Sequence, residues 1–184
     1  MNDKPTNYIS LKRALVYAVV FSIASYAVAA GFSLSTALYA ISIFADPLLN
    51  LTVPLILLSV GIQVINRKLG PILIGLISAG LYAVSFLPFI AIPLIIISFI
   101  VEGITRIMGY RSLKAVVTYT SIAGGLEGVL STILALYMVK VPAPIVTSPY
   151  IWTAVSIGMF IESALMGLIA FYIVSYLIKI GVIR

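Results

Sequence analysis

Apolar positions in this chain do not recur every second residue or on one face of a helix; they form six long runs separated by short polar or proline-marked breaks. Runs of that kind exceed what a strand or the apolar stripe of a surface helix needs. A helix requires about 20 residues to cross hydrocarbon. The runs at 11–32, 48–65, 71–86, 89–108, 114–139 and 150–178 therefore predict six transmembrane helices, the third of them short. The fold class expected is all-α: one polytopic membrane domain over 1–184, with no appended soluble domain. Breaks at 66–70 and 109–113 are tight and basic, and Pro88 marks a minimal turn between the third and fourth spans. Two breaks on the other side are longer. The segment 33–47 ends on the turn signal Asp46-Pro47 and is apolar enough to fold back over that face. The segment 140–149 carries Pro142, Pro144 and Pro149.

Composition agrees with the pattern. The 184 residues are 62% hydrophobic and 9% charged, against roughly 25% charged in soluble domains. The first run is too long for the apolar region of a signal peptide and is kept as a span. Charge then sets the sides. Ten of the eleven Lys and Arg residues lie at or before the start of the first span, in or beside the two tight turns, or after the last span, and Lys140 alone falls opposite. Basic loops stay cytoplasmic, so both termini are expected in the cytoplasm of a multi-pass protein of the cell membrane. The net charge of +6 is read as this bias plus attraction to anionic lipid, not as a nucleic-acid surface. Cys and His are both absent. That removes disulfides, thiolate chemistry and the commonest metal ligand and general base; no metal or other cofactor is expected.

Three glutamates fall within apolar runs. A charge at that depth costs a few kcal/mol on insertion scales, so it usually faces protein or water. Glu102 has Arg106 one turn later and reads as an interfacial ion pair. Glu127 sits mid-way along the fifth span, the most polar and glycine-rich, among Tyr119, Thr120, Ser121, Gly124, Gly125 and Gly128. Glu162 lies at matching depth in the sixth, beside Gly158 and Ser163. On antiparallel neighbours the two carboxylates are placed to share one cavity and to bind a cationic or hydrogen-bond-donating ligand. The other reading makes them protonated glue between helices. Asn50 near the outer end of the second span is a further polar candidate. Aromatics near the outer face, Tyr39, Phe44, Tyr82, Phe86, Tyr137, Tyr150 and Trp152, suit an interfacial belt or stacking on a flat or cationic ligand, with Tyr39 and Trp152 the candidates for stacking. In the first span Ala14, Ala18 and Ser22 line one face, where small residues let another helix approach, in the bundle or in a partner.

Together these residues resemble the substrate-binding (S) component of energy-coupling factor (ECF) vitamin transporters, over nearly the whole chain. Ala14-Leu-Val-Tyr-Ala18 stands where that family carries an Ala-x-x-x-Ala motif, and Leu69-Gly70-Pro71 resembles its start of helix three. The resemblance implies a capture protein without catalytic activity, holding a small vitamin or precursor, thiamin-related on the strength of the carboxylates and aromatics, in the outer half under the loop between helices one and two. It implies a transmembrane coupling subunit docked on Ala14, Ala18 and Ser22, and two ATPase subunits on other chains. A small oligomeric ion channel with carboxylates at its pore is the rival reading. An enzyme is disfavoured because, with no Cys, no His and no Asp in a span, only carboxylate chemistry remains.

Overall fold

Proline punctuates the architecture. It occupies the first turn of five helices, at Pro47, Pro54, Pro71, Pro88 and Pro149, where its missing N–H costs nothing because the first-turn donors have no intrahelical partner. The computed structural model describes residues 9–33, 44–138 and 148–183. Among them every regular element is a helix: α1 (Leu11–Ser33), α2 (Ala45–Asn50), α3 (Val53–Ile65), α4 (Gly70–Val84), α5 (Pro88–Met108), α6 (Leu113–Met138) and α7 (Pro149–Lys179). Five stretches are long and apolar enough to cross a membrane, α2 and α3 counting as one. The sixth, α4, has 15 residues and rises about 22 Å, short of a typical hydrocarbon core.

The second span differs from its expected form. It is broken at Leu51–Thr52, because Pro54 has no N–H to continue the helical ladder, and the Thr52 hydroxyl takes the Leu49 carbonyl at 2.6 Å instead. Part of the segment expected as a loop is thus the short helix α2. Residues 34–43 and 139–147, with most of both longer outer loops, lie outside the described residues.

The helices close into a ring. α1 packs on α3 and α4, α4 on α5, α5 on α6, α6 on α7, and α7 back on α3. The main core gathers Ala14, Ala18, Ile62, Ile65, Ile74, Ile97, Val101, Val116 and Tyr119 at the end of the ring that carries the basic residues. Phe44, Leu51, Leu55 and Met159 form a second cluster at the other end, with Trp152 against it. The outside stays apolar: Leu15, Val16 and Ile23 on α1, Phe99 on α5, and Ile161 and Leu165 on α7 are exposed, a surface suited to lipid and not to water.

The small-residue face of α1 is used inside this ring. Ala14, Ala18 and Ser22 are each 0% exposed. Their size lets α3 and α4 close on α1, and the Ser22 hydroxyl donates to the Ile74 carbonyl at 3.2 Å while accepting from Ser78 at 3.0 Å. The three residues expected to meet a coupling subunit are covered by the chain's own helices and present no surface to another protein.

Polar ties hold the basic end. The Arg67 guanidinium donates to the Ile9 carbonyl, and Arg111 to the Gln63 carbonyl in the last turn of α3, each at 2.8 Å. The Arg111 cation complements the negative end of the α3 dipole. Burial lowers the Arg111 pKa below its ordinary value, yet an arginine stays charged at any physiological pH. Glu102 pairs with Arg106 at 2.7 Å as expected, and it also accepts the backbone N–H of Leu69.

Candidate ligand cavity

Inside the ring lies a cavity of about 80 Å³ walled by α1, the α2–α3 segment, α4, α5 and α6. Each wall follows from local sequence. The i, i+4 face of α4 brings Pro71, Ile74, Gly75 and Tyr82 to it, and α5 contributes Ile90, Leu94, Ile97, Ser98 and Val101. Gly75 leaves the room that Ser98 fills, so α4 and α5 approach closely. From α6 come Tyr119, Thr120, Ala123, Gly124 and Glu127, and from the broken second span come Asn50, Leu51, Pro54, Leu55, Leu58, Ser59 and Ile62.

Most of the wall is apolar, with few polar groups. The three serines spend their hydroxyls within the protein. Ser25 donates to the Pro54 carbonyl at 3.0 Å, Ser98 to the Ile95 carbonyl at 2.7 Å, and Ser59 pairs with Thr120 at 2.9 Å. Tyr82 is held edge-on to Tyr26, ring centroids 5.2 Å apart at 75°, and Tyr26 in turn hydrogen-bonds Ser85. Among the described residues Glu127 is the one carboxylate lining the cavity.

The candidate residues separate. Glu127, Asn50 and Tyr119 line the cavity. Tyr119 is fully buried, with its hydroxyl directed at the Tyr110 carbonyl 3.5 Å away. Glu162 does not line it. It lies on α7, which contributes nothing to the wall, and it is partly exposed at the flank of that helix. Trp152 also stands apart, edge-on to Phe44 at 4.9 Å and 79°, in the cluster at the far end. Tyr39 lies outside the described residues.

The glycines of the fifth span serve contact with α7. A Cβ at Gly125 would overlap the Phe160 ring, and one at Gly124 would overlap Ser163. Ile74, Gly75 and Ile97, which the sequence did not single out, line the wall, and so does Tyr82, one of the aromatics weighed for an outer belt or for stacking. The signal was the four-residue spacing Ile74, Ser78, Tyr82 on one face of the third span.

The chain matches no protein-family model, no curated protein and no solved structure. Among the described residues no group of three or more His, Cys, Asp or Glu side chains could hold a metal ion. The arrangement is suited to binding: a largely apolar enclosure with a few placed polar groups is the usual form of a small-molecule site.

Proposed function

We propose that this chain is the membrane-embedded capture subunit of an ECF-type transporter, holding a small vitamin or precursor with a cationic or hydrogen-bond-donating group. ATP hydrolysis belongs to partner subunits. The observation that carries the reading is a cavity among the helices of one chain, with Glu127 and Asn50 in its mostly apolar wall. A pore on a symmetry axis between copies would instead place such a carboxylate on the outside of the bundle.

In this reading the chain crosses the cell membrane six times, with its basic end and both termini in the cytoplasm, as the basic turns require. The coupling subunit then meets residues other than Ala14, Ala18 and Ser22, which are buried. The test is a thermal-shift screen of the purified protein against vitamins and their precursors, checked by calorimetry. A ligand bound by the folded state alone raises the melting temperature once it exceeds its dissociation constant. A saturable shift that weakens in Glu127→Gln supports capture at this site. A flat screen with well-folded protein overturns it.

A further inference from the structure

Glu162 is a deep carboxylate that the cavity does not use. Its depth follows from the packing of α7 on α6. Gly128 meets Met159, Gly124 meets Ser163 and Gly167 meets Thr120, so Glu162 stands level with Gly125. That level is about 16 Å from Lys114 at helical rise, near the middle of a hydrocarbon core of about 30 Å. Among the described residues the Glu162 carboxylate has no hydrogen bond or ion pair. The basic residues of α6 and α7, Lys114 and Lys179, lie about 16 and 26 Å from it along their helices, beyond the reach of any side chain. The other helix packed on α7 is α3, which carries no charged residue.

The surface beside Glu162 faces out of the ring. Met159, Ser163 and Gly167 are buried against neighbouring helices, while Gly158, Ile161 and Leu165 are exposed. Gly158 precedes Glu162 by one turn on the same line of the helix, and a Cβ built there meets nothing within 4 Å. Another backbone has room to approach closely at such a residue. A carboxylate at this depth costs a few kcal/mol and is as a rule paired. Glu162 has depth, access and room for a neighbour, and its own chain offers it none.

We infer that α7 docks a transmembrane helix of another protein, one that carries a Lys or Arg at mid-membrane depth and pairs it with Glu162 beside Gly158. Charge selects this occupant. Either ion alone is costly in lipid, and the pair relieves both. A second copy of this chain supplies no such cation. In the same orientation it brings another carboxylate to the same depth, and two carboxylates repel unless one is protonated. The basic residues of α6 and α7 in that copy lie as far from Glu162 as in the first. The contact is separate from the cavity, goes beyond the capture reading and holds with or without a bound ligand.

The test reconstitutes the full chain in phosphatidylcholine vesicles with synthetic Leu-Ala transmembrane peptides that differ at one central residue: Lys, Leu or Glu. A donor dye on Tyr150→Cys, at the exposed outer start of α7, and an acceptor on the peptide report association by energy transfer. The central-Lys peptide is expected to associate about tenfold more tightly than the central-Leu peptide, the scale of a polar contact between membrane helices, and the central-Glu peptide no more tightly than central-Leu. Glu162→Gln should bring the Lys peptide close to the Leu level. Gly158→Leu, which fills the space beside the carboxylate, should weaken the Lys peptide several-fold and leave the charge in place. The ranking of the three peptides on the chain with Glu162 and Gly158 intact stands as a test should either variant fold poorly. Equal association of the Lys and Leu peptides, or a Lys preference that survives Glu162→Gln, overturns the inference. Energy transfer between two differently labelled populations of this chain, lost in Glu162→Gln, overturns it as well and makes the face a contact between copies.

Discussion

Both oxygens of the Glu102 carboxylate accept the backbone N–H of Leu69, at 3.0 and 3.1 Å, across the join between α5 and α4. Leu69 is in the left-handed region, at φ +70°, the residue before α4 begins. Such a conformation is uncommon without glycine and persists where surrounding structure holds it. A buried carboxylate at a helix start also meets the positive end of the dipole. Glu102→Ala is expected to lose about 2 kcal/mol, in the range for hydrogen bonds to a charged group. Arg106→Ala should have little effect, because its side chain is 51% exposed and solvent screens such pairs. Thermal unfolding of both variants in one detergent checks the order; a larger loss for Arg106→Ala would refute the capping role.

Two glycines predict opposite signs. Gly125→Ala drives a methyl into the Phe160 ring and should destabilise the α6–α7 contact by about 1–3 kcal/mol. At Gly158 an added Cβ meets nothing within 4 Å, so Gly158→Ala should gain about 0.5–1 kcal/mol from helix propensity. Melting temperatures of the pair decide the matter, and equal losses would contradict the packing.

The two deep glutamates of the last spans should part company in binding. Glu127→Gln is expected to weaken a cationic ligand by tenfold or more, the scale of a lost charge-assisted contact. Glu162→Gln should leave affinity within twofold, since Glu162 does not line the cavity. Calorimetry on both variants is the check, and comparable losses would return Glu162 to the site.

Orientation is testable because the chain contains no cysteine. Lys68 and Phe86 are exposed, in the turns at either end of α4. With the basic end inside, a membrane-impermeant maleimide should label Phe86→Cys in intact cells and Lys68→Cys only after permeabilisation. The reverse pattern would invert the topology.

Hydropathy and proline placed the helices with little error: 11–32 became Leu11–Ser33, and 150–178 became Pro149–Lys179. Depth was legible too. Gly124 meets Ser163 and Gly128 meets Met159, so Glu127 and Glu162 do lie within about a turn of the same level. Rotation about the helix axis was not legible. In a chain apolar on every face, no stripe announces which side turns inward, and only packing decides that Glu127 faces the cavity while Glu162 does not. The same gap hid the fate of Ala14 and Ala18, since small residues suit an internal neighbour as well as a foreign one. The break at Thr52 was written in Pro54, but a proline two residues into a helix and one that splits a longer helix look alike until the preceding turn is seen.

The serine ties between α1 and its neighbours set how this molecule can deform. Ser22 is bonded to Ile74 and Ser78, and Ser25 to Pro54. In hydrocarbon no water stands ready to replace a bond pulled apart. Prying α1 from α3 and α4 would strand several polar groups at once, whereas a modest tilt of the whole ring breaks none of these bonds. On the side of the bundle held by α1, displacement is therefore cheapest when α1, α3 and α4 move as one body.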